Sequence, residues 1–150
     1  MEYEGMVHAL EDIHRLLRPG GDLIDIHPVL EAPLVEVYQG GKVIFTESWP
    51  DYSGEDYRQA EQALAQVVAR RLFVIDGSGE FDFLTYGSSV AELRNFLAEA
   101  GAYEERPKDD AVVARESELF AHVEEIMQAA GEGAEVADHE KARITRLKPI

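Results

Sequence analysis

"MVHALEDIHRLLRPGGDLIDIHP", residues 6–28, carries three structural signals in immediate succession. Met6, Leu10, Ile13 and Leu17 recur at spacings of three and four, which places them on one face of a helix. That helix must end before Pro19, because the proline ring disfavours helical backbone in the residue that precedes it. Gly20 and Gly21 supply a turn, and "DLIDI" follows as a short strand built on Leu23, Ile24 and Ile26. Helix, turn and apolar strand in this order belong to the interior of an α/β domain.

The segments that follow extend the same reading. "PLVEVYQGGKVIFTESW", residues 33–49, holds two β-rich runs joined through Gly40-Gly41, a pair able to take the positive φ of a tight hairpin turn. Ser53 is placed to cap a helix reaching Arg71, with Tyr57, Ala60, Leu64, Val67 and Val68 as its apolar stripe. "RLFVIDGSGEFDFLTYG", residues 71–87, reads as a second hairpin that turns at Gly77-Ser78-Gly79. Ser89 and Glu92 have capping-box spacing ahead of Val90, Leu93, Phe96 and Leu97, and Gly101 is a helix stop. Asp109 or Asp110 opens a longer helix whose stripe runs through Val112, Leu119, Val123, Ile126 and Ala130. "GEGAEVAD" breaks that helix, and "KARITRL", residues 141–147, closes the chain as a charged edge strand.

The expected fold is therefore α/β, with one parallel-type strand, two hairpins and about four flanking helices around a mixed, mostly antiparallel sheet. One hundred and fifty residues at 45% hydrophobic composition suit a single domain, residues 1–150, with one core.

Composition narrows the function. There is no cysteine, so disulfides, thiolate zinc sites and cysteine nucleophiles are excluded. Runs such as "LFVI" are far too short for a membrane span, and no signal-peptide pattern is present, which points to a cytoplasmic protein that does not act on membranes. Thirty acidic against fourteen basic residues leave a formal charge of −16, which repels nucleic-acid backbones. The one basic cluster, Lys141, Arg143, Arg146 and Lys148, does not offset it, and no nucleic-acid partner is expected.

The opening stretch also resembles a known family. Ala9, Leu10, Ile13, Leu16, Leu17, Arg18, Pro19, Gly20 and Gly21, followed by the strand, resemble the segment of class I S-adenosylmethionine-dependent methyltransferases that leads through a Pro-Gly-Gly turn into the fifth strand. "SSVAELRNFLAEAG" and "ITRLKP" resemble later elements of the same fold. The resemblance implies a truncated, Rossmann-like C-terminal half. The family holds its cofactor on a Gly-rich loop in the other half, and no G-x-G-x-G occurs here. The resemblance thus implies no cofactor on the isolated chain, and S-adenosylmethionine only if a partner supplies the missing half. Two functions are compatible with it. One is a noncatalytic methyltransferase-like module that forms a homodimer and binds a small molecule or protein. The other is the acceptor-binding half of a split or truncated methyltransferase, with a separate N-terminal half as partner. "DLIDI", the helix over 6–18 and the helix over 110–130 are the expected interface elements.

Few polar groups offer chemistry. Asp25 and His27 lie two apart on a strand and so share a face, where a carboxylate can orient an imidazole for proton transfer from a methyl acceptor. The plainer reading is that Asp25 satisfies a neighbour and His27 ends the strand. Trp49, Tyr52 and Tyr57 cluster in "ESWPDYSGEDY" as candidates for a substrate pocket, with packing at a hairpin end as the alternative. His8 and Asp12 have one-turn spacing, but two ligands do not make a metal site, and no metal is expected.

Overall fold

The computed structural model describes residues 2–101 and 108–150. In chain order the elements are α1 (Tyr3–Leu16), β1 (Leu23–Pro28), β2 (Leu34–Gln39), β3 (Lys42–Ser48) and α2 (Glu55–Ala69). They continue with β4 (Phe73–Gly87), α3 (Val90–Ala100), α4 (Asp110–Ala130) and β5 (Glu135–Pro149). The fold is mixed α/β, with four helices and a five-stranded, mostly antiparallel sheet among the described residues. The strand order is β1-β5-β2-β3, and β4 also pairs with β5.

The local signals around the opening stretch act as their chemistry dictates. Leu17 leaves helical geometry two residues before Pro19, and its amide still donates to the Ile13 carbonyl at 3.0 Å. Gly20 then takes φ +80°, and the Gly21 amide donates to the Arg18 carbonyl at 2.8 Å, which closes the turn into β1. In the β2–β3 hairpin, Gly40 and Gly41 both have positive φ, as a two-residue turn of this hand requires. Ser89 Oγ accepts from the Glu92 amide at 3.1 Å and Asp109 accepts from the Ala111 amide at 2.8 Å, so α3 and α4 begin at side-chain caps.

Three expectations are corrected. No hairpin turns at Gly77-Ser78-Gly79, where β4 runs unbroken for fifteen residues. Neither glycine takes positive φ, and the Ser78 hydroxyl lies 3.4 Å from that of Thr145 on β5. A long partner strand thus carries the chain straight through a sequence that would otherwise bend. "KARITRL" is not an edge, because β5 pairs with β1, β2 and β4. Its cations are spent on ion pairs to neighbouring elements. And β1 is not a parallel-type strand: it runs antiparallel to β5, with Leu23 opposite Leu147 and Pro28 opposite Ala142.

Contacts divide the chain into two compact units. The first comprises residues up to Glu31, Ser53–Asp82 and Lys141–Ile150. Its core is Val7 of α1, Ala63 and Val67 of α2, Phe73 of β4 and Leu147 of β5, with Met6, Leu10, Leu17 and Leu23 packed around them. Leu23 and Leu147 are cross-strand partners and share the sheet face that α1 and α2 cover. Each fully buried side chain of this size contributes roughly 1.5–3 kcal/mol.

The second unit comprises Ala32–Tyr52 and Phe83–Glu140. Here Val35 and Val37 of β2 and Val136 of β5 face Val90 and Leu93 of α3 and Leu119, Phe120 and Val123 of α4. β4 meets α3 at a close approach. A methyl group on Gly87 would stand 2.9 Å from the Ser89 carbonyl oxygen and 3.0 Å from Leu93 Cβ, so only glycine fits there without displacement. Within each unit, then, two helices lie on one face of a strand layer.

Candidate functional site

Alternation along β1 sends Ile24 and Ile26 to one face of the first unit and Asp25 and His27 to the other. Asp25 and His27 meet directly, with His27 Nδ1 2.5 Å from Asp25 Oδ2. His27 is buried, and its Nε2 faces Glu61 Oε1 of α2 at a long 3.5 Å. Glu61 also accepts from Arg143 Nη1 at 2.7 Å, and Arg143 Nη2 donates to Glu80 at 3.0 Å. Arg143 is the cross-strand neighbour of His27, so β1, α2, β4 and β5 each bring one or more members to a single charged cluster.

The chemistry of this cluster follows from where the imidazole nitrogens point. Both face carboxylate oxygens, so the doubly protonated ring is favoured. The His27 pKa is raised above its ordinary 6.5, chiefly by the hydrogen bond to Asp25 and against the opposing effect of burial. A general base needs a ring nitrogen with an open lone pair, whereas this arrangement favours the protonated ring more than the surroundings of an ordinary histidine do. Asp25 and His27 are therefore brought together as the strand period predicts, inside an ion-pair cluster that ties β1 to α2. Glu61, Glu80 and Arg143 were not selected by sequence reasoning. Arg143 joins His27 only through the β1–β5 register, which no local stretch of sequence contains.

Of the aromatic candidates, Trp49 and Tyr52 fall in the second unit and Tyr57 in the first. The Trp49 indole donates to Asp138 Oδ1 at 2.7 Å, and its ring meets Phe120 edge to face at 5.3 Å. It packs against the core of its unit. Asp138 is buried, and burial pushes its carboxyl pKa up, with the Trp49 hydrogen bond acting against the shift. His8 faces Glu11 at 3.3 Å and Asp12 pairs with Arg15, so the helix pair is divided between other partners. Among the described residues, no group of three or more His, Cys, Asp or Glu is placed to hold a metal ion, and no helix is long and apolar enough to cross a membrane.

A concave site does occur in the second unit. Tyr38, Gly40, Gly41, Tyr86, Gly133 and Glu135 line a cleft of about 260 Å³. Tyr38 and Glu135 are opposite one another on β2 and β5. The Tyr38 and Tyr86 rings meet edge to face, with centroids 5.5 Å apart and planes at 65°. The Tyr38 hydroxyl donates to Glu36 Oε1 at 3.0 Å, and His139 Nδ1 contacts the same carboxylate oxygen. Burial, followed by the bond to Glu36, pushes the Tyr38 pKa up to about 12, so the phenol keeps its proton. Sequence reasoning missed this cleft, although the Glu36–Tyr38 spacing carries the same strand-period signal as Asp25–His27.

No protein-family model, curated protein or solved structure matches the chain.

Proposed function

We propose that this protein is a noncatalytic, methyltransferase-like module that works by self-association and by binding a small molecule. The observation that carries self-association is an apolar sheet face in the first unit. Ile24, Ile26, Ile144 and Phe81 are 50%, 58%, 37% and 41% exposed. Ile26 and Ile144 are cross-strand partners, and Gly79 turns its missing side chain toward Ile144, which leaves the face open and flat. Contiguous exposed apolar surface of this kind marks interaction sites.

A second copy is the occupant that the charges favour. The chain carries −16 overall, yet the margin of this face is balanced. Arg146 lies 2.6 Å from Asp22, and Lys148 lies 3.4 Å from Asp76. A near-neutral apolar face is the surface by which one strongly acidic copy approaches another with least repulsion. β1 stands at the end of the strand order, so the same region also offers a strand edge.

The methyltransferase-like part of the reading, a Rossmann-like half, rests on residues 9–26. The noncatalytic part is supported by the Asp25–His27–Glu61 cluster, in which both ring nitrogens of the buried His27 face carboxylate oxygens and the protonated ring is favoured. Sedimentation of the parent chain and of Ile26→Lys tests the proposal. The parent should dimerise with rising concentration, and the variant, with unchanged circular dichroism, should weaken the dimer at least tenfold. A parent that stays monomeric at roughly 100 μM overturns self-association. Micromolar binding of S-adenosylmethionine in calorimetry overturns the noncatalytic part.

A further inference from the structure

We propose that the Tyr38–Tyr86 cleft of the second unit binds a small organic cation, an alkylammonium or quaternary ammonium group. This names the ligand class for the small-molecule binding proposed above, on which it rests, and it does not depend on self-association, since the apolar face lies in the other unit.

Three properties of the lining select that ligand class. First, the two phenol rings stand at 65° to each other, so they form an angled aromatic corner. The faces of such rings carry negative electrostatic potential and attract cations within about 6 Å of the centroid. Second, among the described residues the only charged one in the lining is Glu135, a carboxylate. Glu36 adds a buried acidic group behind Tyr38, although it is shared with His139. An anion would meet repulsion here, and a neutral ligand would gain at most a hydrogen bond from Glu135, without the Coulomb attraction that a cation gains. Third, the remaining wall is Gly40, Gly41 and Gly133, all with positive φ and with no atom within 4 Å of where a Cβ would stand. The cleft thus has room for a methyl-decorated nitrogen between bare backbone and aromatic rings.

Two further observations agree with a cation. The Tyr38 hydroxyl directs its proton to Glu36, so its oxygen is left as an acceptor. The net charge of −16 adds a long-range attraction for any cation.

The test is an amide-detected NMR titration of the full chain with choline chloride, with 3,3-dimethylbutanol as the uncharged isostere. Choline should shift the Gly40, Gly41 and Gly133 amides saturably, in roughly the millimolar range expected of a shallow site. The isostere at equal concentration should leave them in place. Tyr86 is half exposed, so Tyr86→Ala keeps the fold and should weaken choline binding about five- to thirtyfold. Glu135→Gln should weaken it about threefold or more, and this loss should shrink with added salt. Equal shifts from choline and its isostere, no saturable shift, or unchanged affinity in Tyr86→Ala would each overturn the proposal.

Discussion

Asp25 and His27 illustrate how much a single residue pair decides. The folded state holds the His27 proton more tightly than an unfolded chain does, because Asp25 accepts its Nδ1–H. A raised folded pKa makes the folded state bind more protons, so the stabilisation is complete below the ordinary value of 6.5 and is lost as pH rises through the folded value. Asp25→Asn keeps an acceptor oxygen and removes the charge. It should lower the His27 pKa in an NMR titration and cost about 1–3 kcal/mol in urea unfolding at mildly acid pH. That cost should shrink as pH rises through the folded His27 value, and a pH-independent cost would mean that packing, not the proton, is what Asp25 supplies. The pair was legible in the sequence because a strand repeats every two residues. Its partners were not, since Glu61 stands thirty-four positions from His27 and reaches it only through the packing of α2.

Among the elements, β4 marks where local reading stopped working. Glycine suggests a turn because it tolerates positive φ, but tolerance is not a requirement. At 77 and 79 the neighbouring strand supplies ladder partners over a length that no local window contains. The caps of α3 and α4 and the Gly40-Gly41 hairpin were legible because each is decided within about four residues. Two substitutions separate the kinds of glycine. Gly77→Ala meets no atom within 4 Å and has ordinary φ, so it should be neutral or stabilise by up to about 1 kcal/mol. Gly87→Ala pushes a methyl into Ser89 and Leu93 and should destabilise by roughly 1–3 kcal/mol. Thermal unfolding of both variants is the measurement, and destabilisation by Gly77→Ala would restore the turn.

For the molecule as a whole, charge sets the conditions under which copies meet. Two chains of −16 repel at distances that ordinary salt screens, with a Debye length near 10 Å at 0.1 M. The proposed contact is apolar with a balanced margin, so added salt should tighten the dimer, which sedimentation over a salt series reads directly. Weakening by salt would mean that ion pairs hold the copies together, and the apolar face would lose its role. β5 has one more consequence. β1 and its antiparallel partner, residues 142–147, lie more than a hundred residues apart in the chain. Throughout the translation of everything between them, Ile24 and Ile26 have no ladder to join, so the first unit completes its sheet only after β5 has been made. Such long-range pairing folds slowly, and a nascent chain paused before β5 presents an open apolar strand to chaperones and to its neighbours on the same message.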